Sequence, residues 1–345
     1  MPLLSNKNNK CLGIDIGANS IKIVELVRKE SGVELSNYGM AKISEITGKE
    51  INEERQDSFS SSVEEIAETI QVIMKEVGIK TKKSFFALPD FSSFLISFEV
   101  PKMKKSEVES AVQYQARQRV PLPLNEVVLD WKLTDLKTKD EEEVLDVFLL
   151  AVPKDTVKTY RKIAEEAGLK IGALDSEVMG FAKIFGKEGE LSVIVNIKER
   201  STSVNIINNE KPLQSSSLNI SADDFKSNVA SLAEIDFNQK NKKKKEVKKS
   251  NQKIKNSLAN ELVKKVEEVY MDHATNRKKI DKILITGKGA EMKAVQDVFI
   301  NPETDGEMAN PFEGMRYPDI LEKIISDIGP KFSVATGMAY LGLDS

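Results

Sequence analysis

The sequence is poor in the residues that most often carry chemistry. Its 345 residues include one cysteine, Cys11, and one histidine, His273. A single cysteine excludes an internal disulfide and a thiolate metal cluster. A single histidine argues against a histidine metal site or a Ser-His-Asp triad. His273 stands among Asp272, Arg277 and Lys278, which reads as a solvated helix position. No run of about eighteen apolar residues occurs, so no membrane span is expected. The opening MPLLSNKNNK lacks the apolar stretch of a secretory leader. The expectation is a cytoplasmic protein that touches a membrane, if at all, through a partner. Neither sign of charge is in large excess. A formal net charge of −3 gives no global pull toward nucleic acid or anionic lipid.

What is present is length, apolar content and a repeat. With 40% hydrophobic residues over 345 positions, two or three domain-sized units are expected. CLGIDIGANSIKIVELVRKESGVELSNYGMAKI reads as three strands in meander, broken at Gly17-Ala18-Asn19-Ser20 and at Ser31-Gly32. Residues 44–61 are polar and read as loop. Ile66, Ile70, Ile73, Met74 and Val77 then line one face of a helix that Gly78 closes. About 180 residues later the pattern restarts at Leu191, with LSVIVNIKERSTSVNIINNEKPLQSSSLNI and a helix over Ala222 to Leu232. A supersecondary unit has been repeated.

Residues 81–170 read as a β-β-α-β-β-α insertion. Its strands turn at Pro89-Asp90 and at the acidic loop Lys139 to Glu143. One helix runs from Glu107 to Arg119, with Ser106 as cap and Glu109 completing a capping box. A second helix, Thr156 to Ala167, is capped by Asp155. Trp131 and Phe148 are expected in its core. After the second meander, nine lysines and one glutamate fall between Lys240 and Lys255. That stretch reads as a solvated loop or frayed helix, or as a contact for acidic lipid or an acidic partner. Nucleic acid is not expected there, because no aromatic residue interleaves for base stacking. Helices over Asp175 to Phe185, Leu258 to Tyr270 and Phe332 to Leu341, the last capped by Ser333, complete the reading. Between the last two lies a strand, glycine turn and helix in IDKILITGKGAEMKAVQDVF.

The hairpin tip carries a specific chemistry. Glycine at Gly17 lets backbone N–H groups approach phosphate oxygens with no Cβ between. Asp15 suits Mg²⁺ held through water. Lys22 reaches over phosphates as a point charge, and Asn19 and Ser20 add polar groups. The glycine turn with Gly287 and Gly289, ending a strand and opening a helix, suits close approach of a nucleotide. In this order and spacing, DIGANSIK, the copy at Asn196 to Asn205 and ILITGKGAEM resemble the phosphate-1, phosphate-2 and adenosine motifs of the actin, heat-shock chaperone and sugar-kinase ATPases. Together with FALPDFSSFLISFEVPKM, SEVESAVQYQARQRVPLPLNEVVLDW, LLAVPKDTVKTYRKIAEEAGLK, LDSE and ANPFEGM, they resemble the PilM family of type IV pilus assembly proteins, relatives of the cell-division protein FtsA.

The resemblance implies an α/β, two-lobed actin-like ATPase fold with ribonuclease H-like duplicated lobes. The first lobe would comprise residues 10–80, completed by 171–189 and 325–345. Residues 81–170 would be the inserted subdomain, 190–232 and 280–324 the second lobe, and 233–279 a helical, lysine-rich subdomain. ATP and Mg²⁺ are the implied cofactors. The implied partners are the cytoplasmic N-terminal tail of a PilN-like membrane protein, in a groove beside the insertion, and the pilus motor ATPase and platform protein. Two departures predict weak nucleotide binding. The second hairpin has Asn196-Ile197-Lys198 where Asp-Ile-Gly is the pattern, followed by Glu199 and Arg200. Lys288 stands where a third glycine is usual. Lys198 and Arg200 either supply positive charge or fill the phosphate space, and Ser201 and Thr202 remain as donors. Asp175 and Glu177 are the carboxylates available to orient a water, so turnover is expected to be slow at most. An FtsA-like division protein and a small-molecule kinase of the same superfamily are the alternatives.

Overall fold

The computed structural model describes residues 9–49, 61–89, 93–139, 142–225, 257–269, 271, 280–300 and 306–345. The lysine-rich stretch 240–255, His273 and most of the helix expected after Ala222 lie outside them. The chain opens with β1 (Lys10–Ile16), β2 (Ser20–Lys29) and β3 (Gly32–Lys42), then α1 (Ile43–Thr47), α2 (Val63–Glu76) and β4 (Lys83–Leu88). Next come β5 (Phe94–Pro101), α3 (Lys105–Arg119), β6 (Val127–Lys139), β7 (Glu142–Pro153), α4 (Lys154–Glu166), β8 (Lys170–Ser176) and α5 (Glu177–Phe185). A second meander, β9 (Leu191–Ile197), β10 (Thr202–Asn208) and β11 (Lys211–Leu218), precedes α6 over residues 257–269. β12 (Lys282–Thr286), α7 (Lys293–Phe299), β13 (Gly306–Met308) and α8 (Glu322–Leu343) follow.

The repeat seen in the sequence is a duplicated sheet. One sheet has the order β3-β2-β1-β4-β8, the other β11-β10-β9-β12-β13. In both, the first three strands are antiparallel and the last two run parallel to the central one. Each buries an outer face under helices. On the first, Ile66, Ile70 and Ile73 of α2 meet Tyr160 and Ile163 of α4. On the second, Leu262 and Val266 of α6 meet Val295 and Phe299 of α7. The described part of the expected lysine-rich subdomain therefore packs as an outer helix of the second lobe. The inner faces meet around α5 and α8, where Phe85, Phe181, Met338, Ile194 and Leu284 form one core.

The insertion is narrower than the sequence suggested. β4 pairs with β1 and β8, and α4 packs with α2, so both ends of the expected 81–170 unit belong to the first lobe. What stands apart is the sheet β5-β7-β6 with α3 on one face, its core built by Val108, Val112, Val147 and Leu149. Trp131 is partly buried against that core, and Phe148 is buried on the opposite face, toward the lobes. The expected second lobe also ends early. Phe312 packs on Val24 and Leu35, and Leu35 donates its N–H to the Arg316 carbonyl, which ties this segment to β2 and β3.

Local capping differs in three places. α3 begins at Lys105, and Glu107 accepts the Lys104 N–H, so Ser106 and Glu109 lie inside the helix. α4 starts after Pro153, leaving Asp155 in its first turn, paired with Lys158. Pro residues favour helix starts because their missing N–H has no helical partner there anyway. α8 is 22 residues long, with Pro330 inside and Ser333 buried in mid-helix. Proline interrupts one helical hydrogen bond, yet the packing of α8 against both lobes carries it through. The segment read as loop at 44–61 opens with the short α1.

Candidate functional site

The two hairpin tips are built alike. The Gly17 N–H donates to the Ser20 carbonyl over 2.9 Å, and the Lys198 N–H donates to the Ser201 carbonyl over 2.8 Å. Asp15 lies opposite Lys22, and Asn196 lies opposite Ser203. Asn196 therefore stands in the place of Asp15, Lys198 in that of Gly17, and Glu199 in that of Ala18.

In the first hairpin, alternation along β1 and β2 turns Asp15 and Lys22 to the same face. Lys22 Nζ lies 3.1 Å from Asp15 Oδ2, with both side chains largely shielded. Burial works against the ammonium's charge, but Asp15 and then Glu199 outweigh it and hold its pKa above the usual lysine range. The Asn19 carbonyl accepts the Ile43 N–H, and Asn19 Oδ1 is buried without a hydrogen-bond partner. Ser20 is buried, with its Oγ 3.5 Å from Glu199 Oε1.

The second hairpin spends its polar groups on other parts of the chain. Glu177, buried at the start of α5, accepts from Asn196 Nδ2 at 2.9 Å and pairs with Lys198 Nζ at 2.8 Å. Lys198 is thus drawn to α5 rather than into a phosphate space, and Arg200 is exposed. Thr202 is fully buried and its hydroxyl donates to the Ile220 carbonyl at 2.6 Å. Glu199 turns toward the first hairpin. Its Oε1 lies 3.3 Å from Lys288 Nζ, and a Cβ built on Gly17 would stand 3.9 Å from its Oε2 and 3.5 Å from Lys22 Nζ. Burial pushes this carboxyl upward, but Lys22 and Lys288 more than offset that and hold it below the ordinary glutamate value.

The glycine turn after β12 is packed hard on β9. Gly287 has φ +82, and a Cβ there would lie 2.5 Å from both Asn196 Oδ1 and the Ile197 carbonyl. A Cβ on Gly289 would lie 2.2 Å from Ile197 Cγ2. Close strand contact alone therefore requires both glycines. The Gly287 N–H donates to the Pro330 carbonyl, and the Thr286 hydroxyl lies 2.7 Å from the same oxygen.

Asn19, Ser20 and Lys22 of the first hairpin, Glu199 of the second, Lys288 and Glu291 of the glycine turn and Lys331 of α8 line a cleft of about 370 Å³. Each lysine lining it has a carboxylate partner: Lys22 with Asp15, Lys42 with Glu45, Lys288 with Glu199 and Lys331 with Glu291.

Of the residues singled out from sequence, Asn19, Ser20 and Lys22 line the cleft, while Asp15, paired with Lys22, and Gly17 stand next to them in the same hairpin without being among the lining residues. Ser201 and Thr202 are not among its lining residues, nor are Gly287 and Gly289, whose Cα faces pack on β9. Asp175 lies elsewhere. With Leu95, Trp131 and Phe148 it lines a small cavity under the inserted sheet. Sequence reading named Glu199 only as the residue after Lys198, with no role, and did not single out Glu291 or Lys331. The one signal was an acid between Lys198 and Arg200 in a loop that had lost its glycine.

The groups at the floor do not fit a magnesium polyphosphate as they stand. A carboxylate, Glu199, stands beside the glycine that would face a phosphate, with its Oε2 3.9 Å from a Cβ built on Gly17, and Lys22 is paired with the carboxylate a magnesium ion would use. No group of three or more metal-ligating side chains occurs among the described residues.

Comparison with known proteins agrees with this architecture. A family model described as type IV pilus assembly protein PilM matches residues 13–342. The solved structure titled PilM-PilN type IV pilus biogenesis complex is similar at 23% identity, with a TM-score of 0.77. That match covers 97% of this chain and 99% of that one. Ethanolamine utilization protein EutJ from Carboxydothermus hydrogenoformans is similar at 12% identity and a TM-score of 0.52, covering 99% and 91% of the two chains. The fold is the two-lobed actin-like one.

Proposed function

From the premise that the chain belongs to the PilM family of type IV pilus assembly proteins, we propose that it is a scaffold on the cytoplasmic side of the pilus platform, holding the N-terminal tail of a PilN-like membrane protein. The observation that carries this reading is the likeness, over nearly the whole of both chains, to the structure of a PilM-PilN complex. No helix among the described residues is long and apolar enough to cross a membrane, so on this reading contact with the bilayer runs through the partner. The scaffold then links the motor ATPase and platform protein to that partner. Nucleotide is held weakly or not at all, because the chain's own carboxylate stands at Gly17.

The hollows beside the inserted sheet suit an extended tail. Leu95 and Phe148 line two of them, one shared with Leu213, Gln214 and Ser215 of β11. Both β5 and β11 are the last strands of their sheets, and unpaired strand edges accept peptide. The test is calorimetry with a synthetic peptide of the membrane partner's cytoplasmic tail, with and without Mg-ATP. We expect peptide binding without nucleotide, weakened about tenfold or more by Leu95→Glu. Absence of peptide binding, or phosphorylation of a sugar, overturns the scaffold reading.

A further inference from the structure

The structure assigns Glu199 the part of a tethered anion: it occupies the phosphate position between the hairpins and holds the lobes together without a nucleotide. The inference rests on the proposed reading of this cleft as the nucleotide cleft of the fold, and concerns what fills it. Glu199 hangs from the second lobe by its turn, where the Lys198 carbonyl accepts the Ala222 N–H and the Glu199 carbonyl accepts that of Asp223. Its side chain crosses to the first lobe, to Ser20 at 3.5 Å and over Gly17 beside Lys22. At 6% exposure it is sealed in, and Lys288 at 3.3 Å completes its surroundings. A glycine beneath, two lysines and a hydroxyl are what a phosphate oxygen seeks. Here the Glu199 carboxylate pairs with Lys288, lies within reach of the Ser20 hydroxyl and stands beside Gly17, in the field of a Lys22 that is itself paired with Asp15.

The duplication explains how one residue reaches this position. Lys198, in the place of Gly17, bends away to Glu177, which leaves the next residue of the turn pointing at the opposite hairpin. The pairing of every cleft lysine with a carboxylate follows the same logic, since a polyphosphate entering finds no uncommitted cation on the lining. Glu199 thereby decides what the cleft accepts. Polyphosphates compete with it, and closure of the lobes no longer reports nucleotide.

The experiment uses the full chain with spin labels at Glu68→Cys in α2 and Lys293→Cys in α7, both exposed and on opposite lobes. Cys11 is buried and its thiol is pushed up to about 12, so it does not take label at neutral pH. Glu199→Gln keeps the shape and removes the charge. Glu199→Ala removes both, and circular dichroism checks that each variant folds. We expect one narrow inter-lobe distance in the parent without nucleotide, unmoved by Mg-ATP. In both variants we expect a longer, broader distance that Mg-ATP and magnesium pyrophosphate restore, with Mg-ATP bound about tenfold or more tightly than by the parent. A narrow distance kept by Glu199→Ala in the absence of any anion overturns the inference, as does widening that neither probe reverses. Widening that pyrophosphate reverses and Mg-ATP does not leaves the tethered anion standing and removes the nucleotide reading instead.

Discussion

Asp175 shows what burial without a full partner does to a carboxylate. It sits on β8 under the inserted sheet, where burial pushes its pKa from 3.8 up to about 6 against the pull of the Ser176 N–H and Lys132. The folded chain thus binds this proton more tightly than the unfolded one. Stability from this group falls as pH rises from about 4 to about 6, and its full cost is present above that. Asp175→Asn keeps an acceptor for the Ser176 N–H and carries no charge. It is expected to stabilise the protein by about 1–3 kcal/mol near pH 8, and by much less near pH 4.5, in urea unfolding. An equal gain at both pH values means charge is not the cause. At this scale the sequence was legible where register decides direction. Asp15 and Lys22 face one another because both lie on alternating strands joined by a short turn. Glu199 was not legible, because a turn residue's direction is set by the opposite lobe, which no local pattern contains.

Elements were legible where one amphipathic face meets one core, as in α2, and illegible where two lobes share a helix. α8 is the clearest case. The sequence pattern suggested a short helix over Phe332 to Leu341 with Ser333 as its cap, where the helix runs from Glu322 to Leu343. In the molecule the helix packs on β1, β2 and α5 and reaches β12, so its pattern is the sum of several interfaces. Where α8 crosses α5 the backbones touch: a Cβ on Gly337 would lie 2.7 Å from backbone atoms of Gly180. A Cβ on Gly180 meets first the end of the flexible Met338 side chain, at 2.8 Å. Gly337→Ala must therefore part the helices, while Gly180→Ala displaces mainly a methyl group. Overpacking of this kind costs about 1–3 kcal/mol, and the larger loss in melting temperature is expected for Gly337→Ala. The reverse order would mean that Met338, not the backbone, limits the approach of α5 to α8.

Across the whole molecule, β7 is the strand that joins insertion to lobes, and its alternation makes the junction testable. Val147, Leu149 and Ala151 face α3 in the insertion's core. Phe148 faces the core between the lobes, and Val152 that of the first lobe. The run VFLLAV is apolar throughout because both faces are buried against different units. That is also why sequence reading set the insertion's limits too wide: strand and helix order matched, but which sheet each strand joined depended on pairings across the chain, β4 with β1 above all. Leu149→Ala opens a cavity in the insertion alone, at a cost of about 2–5 kcal/mol. Because that core is separate, amide hydrogen exchange is expected to quicken in β5, β6 and α3 while β1, β2 and α2 keep their protection. Phe148→Ala sits on the other face of the same strand and is expected to quicken exchange at α5 and at the β5 edge beside β11, the surface offered to the partner's tail. Peptide affinity should accordingly fall further in Phe148→Ala than in Leu149→Ala, although both remove a buried side chain from one strand. Matching exchange patterns in the two variants would show that insertion and lobes unfold as one unit, and that the docking surface has no stability of its own to lose.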